Sequence, residues 1–405
     1  MDTNIYKLNN GLRVVIQPAL GAVSYIGLAV NAGSRDEAPD KEGLAHFVEH
    51  TIFKGTDRRS SWHISNRMES VGGELNAYTS KEETLIYTNA PAGYADRALE
   101  LLGDLVANSR FPAAELEKER EVVVEEINSY LDSPGDSVFD EFEELIYAGS
   151  GLAHNILGTP DSVRQLRSED CRAFLDHHYT PANMVLYIVD SGCQKRLLRL
   201  AEKHFGHLHY QTVQSPRITP PPTPRFDLVR DRDGHQAHTI LGARMFSRDD
   251  PRRYALFLLN NYLGGPSMNS LLNQELRDRR GLVYAVESMV SLMSDAGLLE
   301  IYFGSDRESE DKCLKVTRRV LDSLAQNHIR PRTLEKIKEQ YCGQLIVSTD
   351  QRESKAMALG KSVLYYGGVH DTRMVADAVR QVSAEQLREV AELLAPDLCS
   401  RLTLK

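Results

Sequence analysis

Gly43-Leu44-Ala45-His46-Phe47-Val48-Glu49-His50 lies in an apolar stretch without a helix breaker, and its reading decides the rest of the chain. As a helix, this stretch puts His46 and His50 one turn apart on the same face. Both imidazoles can then reach one metal ion, with Glu49 beside it. Neutral imidazole nitrogens are good zinc ligands, and a carboxylate is a good acceptor for the proton lost when metal-bound water attacks a carbonyl. At position 49, Asp would fall short in reach and Gln in basicity. With 13 histidines in the chain, an H-x-x-E-H string arises by accident in roughly a few per cent of such sequences. It is therefore read as an inverted zinc-binding helix.

Zinc needs a third protein ligand and an open fourth position. The candidate run is Glu117-Lys118-Glu119-Arg120-Glu121-Val122-Val123-Val124-Glu125-Glu126-Ile127, dense in helix formers and placed just after the Phe111-Pro112 break. Glu119 and Glu126 are seven apart, two turns on one face, whereas Glu125 falls about a hundred degrees away. Glu126 is taken as the ligand and Glu119 as its electrostatic neighbour. On composition alone, a solvated acidic face is the competing reading of so glutamate-rich a helix.

The order H-x-x-E-H, then Glu126 at 76 residues after His50, closing an E-R-x-V-x-x-x-E pattern that runs from Glu119-Arg120-Glu121-Val122 through Glu126, resembles the insulinase family of zinc metallopeptidases, which includes pitrilysin and the mitochondrial processing peptidase subunits. Gly72-Gly73-Glu74-Leu75-Asn76-Ala77-Tyr78-Thr79, followed by Glu83-Thr84 and Tyr87, is similar to the family's G-G-x-x-N-A-x-T segment, an edge strand that pairs with extended substrate. Asn76, Ala77 and Tyr78 are its substrate-binding candidates. A peptide added to a sheet edge gains main-chain hydrogen bonds whatever its sequence, so such pairing tolerates many side chains. Leu263-Gly264-Gly265-Pro266-Ser267-Met268-Asn269-Ser270, with Asn273 to Tyr284 after it, resembles the segment whose Arg and Tyr complete the substrate site from the half that lacks zinc. Carried over, these are Arg277 and Tyr284. The Tyr284 hydroxyl would donate to the oxyanion, and Arg277 would hold a substrate carbonyl or carboxylate.

A weak internal repeat agrees with this. Ser34-Arg35-Asp36-Glu37-Ala38-Pro39, leading into the His46 helix, is echoed by Ser247-Arg248-Asp249-Asp250-Pro251, leading into Ala255 to Gly264. Leu256 and Asn260 then stand where His46 and His50 stand, so the second copy keeps the helix without the ligands. Between the copies, residues 211–225 carry five prolines, which cannot donate helix or sheet hydrogen bonds. The expected organisation is a zinc-binding catalytic domain over 1–215, a Pro-rich linker over 216–230, and a homologous domain without metal over 231–405. Arg13–Pro18, Tyr25–Val30 and Met184–Val189 read as strands of the first half, and Thr239–Ala243 and Leu298–Phe303 as strands of the second. The fold class expected is α+β: two pseudo-duplicated sandwich domains, each a mixed sheet with helices packed on one face.

The chain opens Met1-Asp2-Thr3-Asn4-Ile5-Tyr6-Lys7 without an apolar core segment, so neither a secretory signal nor a membrane anchor is expected, and the location expected is cytoplasmic. Cys171, Cys193, Cys313, Cys342 and Cys399 are odd in number and contain no C-x-x-C, which argues against a disulfide framework or a thiolate zinc site. A net charge of -9 argues against a nucleic-acid partner. His177-His178 and His204 to His209 lack carboxylate or cysteine partners at ligand spacing and read as helix-end or loop residues. His154 reads as a packing residue near the site.

The resemblance implies one zinc ion per chain, held by His46, His50 and Glu126, with Glu49 handling the proton in peptide-bond hydrolysis. It further implies short or unfolded peptides as substrates and a chamber of four such domains, hence two chains. A homodimer is the expected assembly, with a heterodimer of related subunits as the other form. The rival reading is a non-catalytic core or scaffold subunit, or a partner subunit of a heteromeric processing peptidase. Relatives of that kind degrade the metal motif, which is complete here. Hydrolysis of a non-peptide bond is disfavoured by the strand-pairing segment.

Overall fold

The computed structural model describes residues 3–209, 216–348 and 350–405, so residues 211–215 of the Pro-rich stretch lie outside the described residues. The chain forms two compact units. One comprises Met1–Asn128, His154–Ile218 and Thr349–Asp371, and the other Ser129–Ala153, Thr219–Ser348 and Thr372–Lys405.

The first unit is built on β1 (Asn4–Lys7), β2 (Arg13–Pro18), β3 (Val23–Val30), β4 (Glu74–Thr79), β5 (Thr84–Pro91) and β6 (Met184–Asp190). Their order across the sheet is β1-β2-β6-β3-β5-β4. β2 and β6 run parallel, and the other pairs are antiparallel. β3 and β6 are rich in β-branched and aliphatic residues because both of their faces are covered. Ile26, Leu28 and Val30 point to a layer containing the helices Leu44–Thr51 and Ala95–Asn108, while Ala29 points the other way with Val15, Leu85, Val185 and Tyr187. This is the period-two alternation of a strand.

The second unit repeats that plan with β7 (Asp227–Arg230), β8 (Gln236–Met245), β9 (Val283–Leu292), β10 (Gly297–Asp306) and β11 (Ser400–Leu404), ordered β7-β11-β8-β10-β9. Position by position this is β2-β6-β3-β5-β4, and β7–β11 is again the parallel pair. The duplication is thus topological as well as a sequence echo. The mixed sheets and the two-fold α+β plan are as expected from sequence.

The observed units differ from a simple split at the Pro-rich stretch, because each sheet has its second face covered by a helix from the other half of the chain. The helix Arg352–Tyr366 lays Ala356, Leu359 and Val363 on the first sheet, and the helix Pro134–Ile146 lays Val138 and Phe142 on the second. Close approach requires glycine at both contacts. A Cβ on Gly360 would sit 2.5 Å from the Tyr187 ring, and one on Gly242 would sit 2.7 Å from that of Phe142. Periodicity gives each helix an apolar face and leaves its partner sheet unspecified, so the exchange had no signature in the sequence.

Candidate metal centre

The helix Leu44–Thr51 buries Leu44, Ala45, Phe47, Val48 and Thr51, which fixes its rotation and turns His46, Glu49 and His50 toward one side. Its N-terminus has no side-chain cap, because Gly43 occupies the N-cap at φ 87 and a Cβ there would lie 2.5 Å from the Leu157 carbonyl oxygen. Orphan N–H groups at a helix start need an acceptor from elsewhere. Glu37 supplies it: the N–H groups of Gly43 and Ala45 donate to its two carboxylate oxygens at 2.9 and 2.7 Å, and His154 Nε2 lies 3.0 Å from Oε2. Lys81 Nζ in turn donates to the His154 carbonyl at 2.6 Å. Burial raises the pKa of Glu37, and His154 and the two N–H groups oppose that rise. An anion here also meets the positive end of the helix dipole. Replacing Glu37 by Ala should therefore cost about 2–3 kcal/mol of stability, through the unpaired N–H groups and imidazole left buried, read as a lower urea midpoint at unchanged m-value.

The third candidate ligand comes from the helix Ala113–Leu131, whose buried Leu116, Val123, Val124 and Ile127 set its orientation. Glu126 Oε2 lies 3.5 Å from His50 Nε2 and 3.9 Å from His46 Nε2, and the two imidazole rings meet edge to face at 4.6 Å. All three ligand atoms fall within 4.8 Å of one another, and among the described residues this is the only group of three or more His, Cys, Asp or Glu so placed. Zinc bonds of about 2.0–2.2 Å in tetrahedral geometry separate ligand atoms by about 3.3 Å, so a small contraction suits the ion. His46 is buried, and burial first, then the neighbouring His50, pulls its pKa down to about 3. It is neutral near pH 7, the form with a lone pair for a metal. The donor set fits zinc, and Glu126 stays exposed enough to leave an approach from solvent.

Glu119, one heptad before Glu126, sits on the other side of His50. Its Oε2 is 3.4 Å from His50 Nδ1 and its Oε1 is 2.6 Å from Lys54 Nζ. Glu125 points away into solvent. Glu49 is partly buried, and that burial raises its pKa. Thr79 and His50 pull it back, while Glu126 adds to the rise.

Thr79 ends β4, which pairs with β5 on one side and with no strand on the other among the described residues. Asn76 on this edge is exposed, and its side chain accepts the Ala77 N–H at 2.9 Å. Tyr78, two residues on, faces the same side of the sheet as Asn76, with Leu85 and Tyr87, and opposite to its neighbours Ala77 and Thr79. Its hydroxyl donates to Glu83 at 3.2 Å, and Lys361 lies over its ring. Arg277 and Tyr284 belong to the second unit. Arg277 is exposed on the π-helical turn Asn273–Asp278 with its Nη1 3.8 Å from Met268 Sδ, and Tyr284, 60% exposed on the edge strand β9, donates to Asp306 at 3.0 Å. The first unit thus gathers His46, Glu49, His50, Glu119 and Glu126, and the second carries Arg277 and Tyr284.

The other histidines have separate surroundings. His178 packs on Phe174 with its pKa pushed down to about 4, first by burial, and His204 contacts Asp96 at 2.6 Å. Sequence reasoning missed Glu37 and Lys54 and gave His154 only a packing role. The one available signal was Gly43: a helix start with no Ser, Thr, Asp or Asn at its N-cap implies an acceptor elsewhere. No described helix is long and apolar enough to cross a membrane.

Comparison with known proteins places this geometry in a family. The model "Insulinase (Peptidase family M16)" matches residues 13–160, and "Peptidase M16 inactive domain" matches residues 165–341. A Bacillus subtilis protein named as an uncharacterized zinc protease is 33% identical over 391 residues, spanning 96% of this chain and 95% of its own. A Mycobacterium tuberculosis protein of the same description is 34% identical over 397 residues, spanning 96% and 89%. A Helicobacter pylori protease structure superposes with a TM-score of 0.92 at 23% identity over 100% of this chain and 99% of that one. The Pseudomonas fluorescens structure titled as a peptidase M16 inactive domain also reaches 0.92, at 19% identity over 100% and 98%. With both family models matching in order, and with relatives at this identity along nearly their whole length, the chain belongs to the insulinase family of M16 peptidases.

Proposed function

We propose that this chain is a zinc-dependent endopeptidase that cleaves short or unfolded peptides, with one zinc per chain held by His46, His50 and Glu126. The observation that carries this reading is the convergence of those three ligand atoms within 4.8 Å, with Glu49 on the same helix as the two histidines. Zinc bound there would act as a Lewis acid and acidify water. The chain's own residues do the rest. Glu49, its carboxylate made more basic by burial, accepts a proton from the attacking water and returns it to the leaving amine. An extended peptide adds to the free edge of β4, where its carbonyl replaces Asn76 Oδ1 as the acceptor for the Ala77 N–H. The Tyr78 side chain, committed to Glu83 on the face opposite to Thr79, leaves only its backbone for the peptide.

Tyr284 and Arg277 take the substrate-binding roles that family membership implies for their motif, the hydroxyl exchanging Asp306 for substrate oxygen. Two chains form a homodimer that encloses the substrate. A scaffold role is disfavoured because the ligand set and Glu49 are intact together.

Glu119 and Lys54 act through His50. The carboxylate, clamped by Lys54, orients the imidazole by its Nδ1. Lys54→Met should weaken zinc affinity about tenfold in competition with a chromogenic chelator, and Lys54→Arg should recover most of it.

The reading is tested by digesting a pool of unstructured peptides with zinc-loaded protein, then stripping the metal with dipicolinate and adding it back. Cleavage should vanish and return, and sedimentation should give a mass near twice the 45.5 kDa chain. Cleavage that survives complete metal removal, or an intact pool after incubation with the loaded protein, overturns it.

A further inference from the structure

A cavity of about 410 Å³ opens within the second unit, between the helices Arg253–Gly264 and Glu310–Gln326 and the start of the helix Pro331–Ser348. It lies in the size range of small-molecule sites. Its floor is apolar, formed by Tyr262, Leu271, Val316, Val320 and Leu324. Val316, Val320 and Leu324 recur at four-residue spacing, so one helix face lines much of the wall.

The rim is basic, and its charges are unequally committed. Arg319 stands on the same helix and Arg330 immediately precedes the next one, and among the described residues neither guanidinium has an ion-pair or hydrogen-bond partner. The single carboxylate of the lining, Glu275, is already held by both Arg279 and Arg280. His328 faces Glu385 at 3.6 Å. Two unopposed guanidiniums above an apolar floor run against the trend of a chain with net charge -9. The hydroxyl of Tyr262 likewise has no partner among the described residues. Arginine pairs with a carboxylate through two parallel hydrogen bonds, so an apolar body ending in a carboxylate would satisfy floor and rim together.

We infer that this cavity binds a small amphipathic carboxylate, its tail on Leu271, Val320 and Leu324 and its head between Arg319 and Arg330. The site is separate from the metal centre, and binding there is measurable without any cleavage assay. Two sources share this chemistry: a free fatty carboxylate, and the C-terminus of a peptide with an apolar last residue.

The test is calorimetric titration of the zinc-loaded protein with octanoate and with octan-1-ol, on wild type and on the double variant Arg319→Gln/Arg330→Gln. Both arginines are exposed, so the variant should keep the wild-type Tm. Octanoate should bind the variant at least tenfold more weakly, and octan-1-ol should change less than twofold. A Leu-terminated pentapeptide that displaces octanoate as the free acid and fails to as the amide identifies the peptide source; displacement by neither form identifies the fatty carboxylate. The inference is overturned if octanoate does not bind at millimolar concentration, if the double variant binds it as well as wild type, or if octan-1-ol binds wild type as tightly as octanoate.

Discussion

Replacing Glu49 by Gln is expected to reduce peptide cleavage by about 10³-fold or more while leaving zinc content near one per chain. General acid–base catalysis by a positioned side chain contributes about 10²–10⁴-fold, and here one carboxylate serves both the water and the leaving amine, so the loss falls in the upper part of that range. The amide has the same shape and length, so it keeps its place beside Thr79 and His50 while losing the ability to accept a proton at neutral pH. The three candidate ligands are untouched, which is why metal content should hold. The measurement is turnover of an unstructured peptide with zinc determined on the same samples. A variant that retains zinc and cleaves within tenfold of wild type would remove Glu49 from the mechanism. One that loses zinc with activity would instead make it part of the metal's support.

Removing Glu126 should separate the metal from the protein. Structural zinc sites with four ligands bind with about 10–16 kcal/mol, so one ligand accounts for about 3–4 kcal/mol and its deletion for a loss on the order of 10²–10³-fold in affinity. Glu126 is exposed and packs little, so Glu126→Ala should leave the stability of the metal-free protein near wild type. The consequence is a differential one: added zinc should raise the Tm of wild type by mass action and raise that of Glu126→Ala little at the same concentration. Equal thermal shifts in the two proteins would mean that the ion sits elsewhere. Glu125→Ala is the control, since that side chain leaves the same helix toward solvent and should behave as wild type.

The contrast between these neighbours shows how far local pattern carries. A spacing of seven turned Glu119 and Glu126 to one side of their helix, and both carboxylates lie at His50, one against each ring nitrogen. The strands were legible for a similar reason. Arg13–Pro18 and Met184–Asp190 follow directly from runs of Val, Ile and Leu between breakers. The echo of Ser34 to Pro39 in Ser247 to Pro251 pointed to a second copy of the fold, and the five strands of the second sheet repeat the order of five in the first.

Contacts between segments remote in sequence had no such signal. Glu37 reaches the N–H groups of the helix Leu44–Thr51 because Gly43 leaves them uncapped, and His154, 117 positions away, meets the same carboxylate only through the fold. Lys54 is one of many lysines until Glu119 comes beside it. The helices Pro134–Ile146 and Arg352–Tyr366 show apolar faces that suit either sheet, and each covers the sheet of the other half. The sequence by itself determined the elements and the candidate ligands that share a helix face, because those depend on periods of 2 and 3.6 residues that are written locally. Only the tertiary structure decided which carboxylate caps the helix of His46 and His50, which cation holds Glu119 and which helix closes each sheet. Those choices are made by packing and charge between segments whose separation along the chain carries no periodicity to read.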